Sequence, residues 1–299
     1  MKTWKKILLL IGILLLALGV TITKIAYGRG DSFSASLSFG APGTFGYDQK
    51  DYIVCRSGEE SFAARGIERL SIDWSSGSVR IEPYDGDEIL LRETASGTLQ
   101  ENEKMRWRLR GGELSVLSCG NSVGALMQTP DKELTVLVPE NFLPRELDLD
   151  SASADWDVRA INVKETLTVD TASGDVRIED LSCAVLDVDT ASGGIRLDEV
   201  SCDALDLDTA SGPITADALA CRDVETDTGS GDVSLAFSEA PKSVDADSMS
   251  GDVTLAFPKG TGLRLDFDTA SGKLHGDYES GSTLVSVDTA SGDLTIEYR

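Results

Sequence analysis

The segments LTVDTASGDVRI (167–178), LDVDTASGGIRL (186–197) and LDLDTASGPITA (205–216) are three copies of one pattern, and their period decides the fold. Aligned on the glycine of Thr-Ala-Ser-Gly-Asp-Val, the copies continue to the C-terminus at Gly174, Gly193, Gly212, Gly231, Gly251, Gly272 and Gly292. Their spacings are 19, 19, 19, 20, 21 and 20 residues. A degenerate copy, Asp150-Ser-Ala-Ser-Ala154, stands 20 residues before the first. IDWSSGSVRI around Gly77 and RETASGTLQ around Gly97 are fainter echoes.

Apolar residues alternate on both sides of each glycine, which is the period of a strand. Leu167/Val169, Leu186/Val188 and Leu205/Leu207 precede it; Val176/Ile178, Ile195/Leu197 and Ile214/Ala216 follow it. Each repeat therefore holds two short strands joined at an Ala-Ser-Gly corner, where glycine supplies the positive φ of a tight bend. A third apolar pair, Leu181/Cys183, Val200/Cys202 and Leu219/Cys221, predicts a short third side. A unit of this size cannot bury its own apolar face, so neighbours must stack, with equivalent residues about 4.8 Å apart in ladders. The expected fold is all-β: a parallel β-solenoid of 19–21-residue repeats over 146–299, seven or eight turns and about 35 Å long. Its rival is an antiparallel sandwich of hairpins, which gives no reason for so regular a period. Residues 60–145 are expected to form an N-terminal β cap or the first turns. Met105–Arg110 and Glu113–Leu117 flank Gly111-Gly112 as a hairpin, and Leu134–Pro139 is a further strand.

The run from Leu134-Thr-Val-Leu-Val-Pro139 through the serial Thr-Ala-Ser-Gly-Asp-Val units, roughly 68–297, resembles the bacterial putative-adhesin family, a domain of unknown function. The resemblance implies an exported, membrane-tethered β-repeat protein of the bacterial envelope. It supplies no catalytic or binding residues to transfer. The chain departs from the pattern at Ala154, Gly194, Pro213 and Lys273.

The chain of 299 residues carries 51 acidic against 27 basic residues, a net charge of −24. That excludes a general nucleic-acid binder, which needs a cationic face. Much of the acid is periodic. Asp170, Asp189, Asp208, Asp227, Asp247, Asp268 and Asp288 stand four positions before the corner glycines, with Asp150 continuing the column. A second column runs two positions earlier through Asp148, Asp187, Asp206, Glu225, Asp245 and Asp266. Both point outward and must be hydrated, screened or partly protonated. Calcium sites are one reading; the preferred one is a solvated face that discourages aggregation, with no cofactor and no metal. Catalysis needs one constellation unlike the rest, and every rung offers the same acids. His275, the single histidine, falls at an outward position, which removes His-built metal sites and Ser-His-Asp triads. Cys183, Cys202 and Cys221 repeat at 19 residues as a column of small buried thiols, with three-thiolate metal binding as the alternative. Cys55 and Cys119 are candidates for a disulfide.

Lys2, Lys5 and Lys6 precede an uncharged run over 7–23, closed by Lys24. Residues 1–27 thus read as a membrane anchor, with a cleaved signal as the alternative, and 25–299 as extracytoplasmic. Residues 28–59 form a Gly/Ser-rich spacer; Arg29-Gly30-Asp31 within it is read as linker, not as an integrin-binding tripeptide. The expectation is a single-pass cell-membrane protein whose acidic surface meets an envelope protein or glycan in a structural or adhesive role. An accessory or sensor component of envelope stress signalling is the alternative, and a polysaccharide-acting enzyme the third reading.

Overall fold

The computed structural model describes residues 51–119 and 131–299; the apolar run 7–23, most of the spacer and Arg29-Gly30-Asp31 lie outside the described residues. Every regular element described is a strand. The first eight are β1 (Ile53–Val54), β2 (Glu59–Ala63), β3 (Arg69–Asp73), β4 (Ser76–Tyr84), β5 (Glu88–Ala95), β6 (Arg106–Arg110), β7 (Glu113–Leu117) and β8 (Lys132–Pro139). The repeats supply β9 (Glu146–Ser151), β10 (Ser153–Asn162), β11 (Thr166–Thr171), β12 (Val176–Thr190), β13 (Ile195–Thr209), β14 (Ile214–Thr228) and β15 (Val233–Phe237). The last six are β16 (Ser243–Ser248), β17 (Val253–Phe257), β18 (Leu263–Thr269), β19 (Leu274–His275), β20 (Thr283–Thr289) and β21 (Leu294–Tyr298).

Equivalent residues stack in parallel, in-register ladders, as the period requires. Leu167, Leu186, Leu205, Val224 and Val244 form one column, and Val176, Ile195, Ile214, Val233 and Val253 another. All ten are at most 3% exposed, so the interior is a continuous apolar core with no face left to a second sheet.

The order of the coils departs from the order of the chain. Along the stack the levels are β7/β8, β3/β4, β9/β10, β11/β12, β12/β13, β13/β14, β14/β15, β16/β17, β20/β21 and β18/β19. Among the described residues the stack therefore has ten levels, about 43 Å long; eight of them come from 146–299, as the repeat count there predicts. It begins inside 60–145, because β3/β4 and β7/β8 extend the same two ladders. The corner glycines do form one column, but the Gly292 coil sits between those of Gly251 and Gly272.

The strands β1, β2, β5 and β6 close the first end antiparallel, β1 lying within the segment 28–59 expected to be spacer: β5 on β8 and β2 on β5 along one side, β6 on β7 and β1 on β6 along the other. The predicted hairpin is β6/β7. The echo at Gly97 is not a corner, since it follows a strand that runs antiparallel to the stack. Beneath this cap lies a buried ion pair with no signal in the sequence. Lys132 Nζ is 2.5 Å from Glu93 Oε1, with side chains 5% and 2% exposed. Lys132 also donates to the carbonyls of Ser118 and of Glu103, the latter at 2.7 Å, and lies 4.7 Å from the Trp74 ring centre. Glu93 accepts the Met105 N–H with both oxygens at 3.0 and 3.1 Å.

Candidate interaction surface

The corners set the spacing of everything outside them, and each letter of the motif has a task. The threonine turns inward and accepts the glycine N–H on Oγ1: Thr171 from Gly174 at 3.1 Å, Thr190 from Gly193 and Thr209 from Gly212 at 3.0 Å, Thr228 from Gly231 at 2.9 Å. The serine hydroxyl donates to the alanine carbonyl one coil below, as from Ser192 to Ala172 at 3.3 Å. The aspartate after the glycine accepts a backbone N–H from the next coil: Asp155 from Asp175 at 2.9 Å, Asp175 from Gly194 at 2.8 Å, Asp232 from Asp252 at 3.0 Å, Asp252 from Asp293 at 2.8 Å, Asp293 from Lys273 at 2.7 Å.

The glycine is required for a reason other than the one expected. None of the seven corner glycines has a positive φ. A Cβ on any of them would stand 1.8–1.9 Å from the carbonyl oxygen of the corner one coil below, so the demand is for space between stacked backbones. The left-handed conformation instead falls on Ala160, Asp180, Glu199 and Ala218, with φ of 49–54°. These form a second column of bends where the chain turns into its third side, and nothing in their identity announces it.

The predicted acidic columns differ from each other once stacked. The first is continuous: Asp73, Asp150, Asp170, Asp189, Asp208, Asp227, Asp247, Asp288 and Asp268 stand in successive register. Asp73 extends it, and Asp268 takes the exposed last place. The second is interrupted, because Thr168 separates Asp148 from Asp187 and Ser286 separates Asp245 from Asp266. Carboxylates packed at strand spacing and shielded from water favour their neutral form. Burial, reinforced by Asp148 and Asp73, pushes Asp150 up to about 7. Burial, then Asp247 and Glu225, does the same to Asp227, to about 7, and burial alone lifts Asp73 to about 6. At neutral pH Asp150 and Asp227 are thus partly protonated within the row.

Beside it, the outer face between the β12 and β18 levels dips into a shallow groove of about 580 Å³. Its walls carry Asp187, Asp206, Glu225 and Asp245, with the exposed apolar Val185 and Leu284 among them. A smaller crevice of about 170 Å³ near Arg69 is lined by charges that pair with one another: Arg69 Nε is 2.6 Å from Glu146. His275 is exposed, its Nε2 3.1 Å from Asp293 Oδ2. Among the described residues no three His, Cys, Asp or Glu side chains converge to hold a metal ion. Cys55 and Cys119 are unbridged, Cys55 being buried in the core under the cap. Cys202 and Cys221 are buried as expected; Cys183 is half-buried.

A family model, Toastrack DUF4097, matches residues 67–297. The chain belongs to that family. The resemblance read from the repeats therefore holds, and the Toastrack match spans the stack with β5 and β6 of the cap, but not β1 and β2. Three solved structures are similar to the Toastrack chain. A putative adhesin from Parabacteroides distasonis is 11% identical with a TM-score of 0.51, covering 79% of this chain and 95% of its own. A putative adhesin from Bacteroides fragilis is 14% identical with a TM-score of 0.46, covering 84% and 98%. A putative cell adhesion protein from Clostridium sporogenes is 13% identical with a TM-score of 0.27, covering 81% and 99%. At such identities the likeness is one of fold, and only the first is close enough to carry even that. No curated protein matches the chain.

Proposed function

We propose that this Toastrack chain is a non-catalytic surface protein, tethered to the cell membrane by residues 1–27 with 25–299 outside the cytoplasm, and that its acidic wall contacts an envelope protein or glycan. The observation that carries this reading is the unbroken register of nine aspartates along the stack. A site for one small molecule needs a unique constellation, whereas a repeat at strand spacing presents the same chemistry every ~4.8 Å to an extended partner. The similar solved structure from Parabacteroides distasonis, described as a putative adhesin, agrees with such a role. Because Asp150 and Asp227 are partly neutral near pH 7, the row offers hydroxyl donors beside carboxylate acceptors, a mixture suited to sugar hydroxyls or peptide amides. The test is retention of the full chain on envelope fractions. Replacing Asp189, Asp208 and Asp227 together by Asn should weaken retention at least tenfold while leaving the fold intact; undiminished retention refutes the assignment to this face. A reporter fused after Arg299 that is active only in the cytoplasm refutes the topology.

A further inference from the structure

Three thiols that the adhesive reading leaves unused stand in register on the third side of successive coils. Cys183 is the ladder partner of Cys202, and Cys202 of Cys221. Cys202 Sγ donates to Cys221 Sγ at 2.7 Å, less than an ångström beyond a sulfur–sulfur bond of about 2.0 Å. Coils about 4.8 Å apart hold the two Cα atoms inside the window of roughly 4.4–6.8 Å that a disulfide accepts, so the bond closes without moving the backbone. Cys202 and Cys221 are 7% and 2% exposed; Cys183, half-buried, is the member that solvent reaches.

We propose that Cys202 and Cys221 close a reversible disulfide between adjacent coils, reached through Cys183 by exchange with an external disulfide. The three Cβ positions lie in one row along the stack, the in-line arrangement that thiol exchange uses. In the first step the Cys183 thiolate attacks one sulfur of an external disulfide X–S–S–X, forming a mixed disulfide and releasing X–S⁻. Deprotonated Cys202 then attacks Cys183 Sγ, expelling the second X–S⁻ and closing Cys183–Cys202. Cys221 finally attacks Cys202 Sγ, closing Cys202–Cys221 and returning Cys183 as a thiol. Two protein thiols are oxidised, one external disulfide is reduced to two thiols, and the protons released by the cysteines end on X–S⁻. The electrostatics set the order of ease. Burial pushes Cys183 up to about 12, which makes the first step slow. The hydrogen bond from Cys202 to Cys221, with burial behind it, raises Cys202 and so hinders the second step, while it lowers Cys221, which holds the larger thiolate share for the third.

The full chain is incubated natively with oxidised glutathione, then denatured, alkylated and cut before its aspartates for mass analysis. The expected result is a Cys202–Cys221 linked peptide. Cys221→Ser should move the link to Cys183–Cys202, and Cys183→Ser should give the same link as the unaltered chain about tenfold more slowly. Alkylation of all three column cysteines overturns the proposal, as does a link confined to Cys55 and Cys119. Closure at the unaltered rate in Cys183→Ser overturns the route through that thiol. None of these outcomes depends on what the acidic face binds.

Discussion

Gly193 and Gly194 are neighbours in the chain and opposites in the stack, which makes them a paired test of why the corner needs glycine. A Cβ on Gly193 would lie 1.9 Å from Gly174 O, 2.6 Å from Gly174 C and 2.9 Å from Thr190 Oγ1. Two of those atoms are backbone and cannot rotate away. The coils must part by about 1.5 Å at the corner to reach the near edge of ordinary contact, an overpacking strain of about 1–3 kcal/mol. That displacement strains the Gly193 N–H bond to Thr190 and the adjoining bonds from Val176 N to Gly194 O and from Ile195 N to Pro213 O, 3.0, 2.9 and 2.9 Å. Two or three such bonds contribute about 1 kcal/mol each, so Gly193→Ala should cost about 3–6 kcal/mol. A Cβ on Gly194 meets Asp175 Oδ1 and Pro213 Cδ at 3.6 Å, an ordinary contact, and Gly194→Ala should lie within about 1 kcal/mol of the parent, on the stabilising side if anything. Urea unfolding followed by circular dichroism reads the difference. Amide exchange at Val176 and Ile195 locates it, which matters because a stacked array can open at one level without unfolding. Equal effects at the two positions would refute the close-approach argument and return the demand to backbone conformation.

Ala218, at φ 54°, makes the converse case: Ala218→Gly should stabilise by up to about 1 kcal/mol in the same urea titration, and a clear loss would show that this bend is not strained. Lys132→Met should cost about 3–5 kcal/mol by leaving Glu93 buried and unpaired, and adding Glu93→Leu should recover much of it; no recovery in a double-mutant cycle would mean that the pair is not the source. Asp73, Asp150 and Asp227 bind their protons more tightly in the folded chain than in the unfolded one, so stability is greatest near pH 4 and falls as pH rises through about 6–7. Their partial exposure discounts the effect to about 2 kcal/mol for Asp227 at pH 8. Asp227→Asn should recover that amount at pH 8 and nothing at pH 4, and a parent Tm that rises from pH 5 to pH 8 would contradict the sign.

The interior was legible because it depends on alternation alone: each apolar pair beside a corner glycine points inward wherever its coil sits in the stack, the terminal coil excepted, where Leu274 is 40% exposed. The register of the acidic row followed from the same arithmetic but its depth did not: of the eight aspartates expected to face outward, Asp288 is buried and only Asp268 is exposed. The cap was half legible, since its hairpin is local, while Glu93 and Lys132 come together only after β5 folds back onto β8. The glycine rule was right in position and wrong in cause, because a one-dimensional pattern cannot distinguish a residue that must bend from one that must make room.

Coil order is the hardest feature to read, since every repeat satisfies the same ladder and the pattern fits any neighbour. Yet the departures from the motif encode it. The aspartate after each corner glycine exists to accept an N–H from the coil above. Pro213 has no N–H, and the residue beneath it is Gly194, without a carboxylate. Lys273 replaces the aspartate in the Gly272 coil, which a chain-order stack places below the Gly292 coil, where an acceptor is needed. In the actual stack that coil is outermost, and no described strand lies above it. The same inversion places β21 between β17 and β19, so β21 is paired along both edges and the outermost coil is an internal loop of chain. At the opposite end β7/β8 is also internal to the chain and is covered by the antiparallel β6 and β5. Chain that continues past an end coil limits its fraying, while edge pairing is blocked only at the capped end, since β18 and β19 keep one ladder partner each.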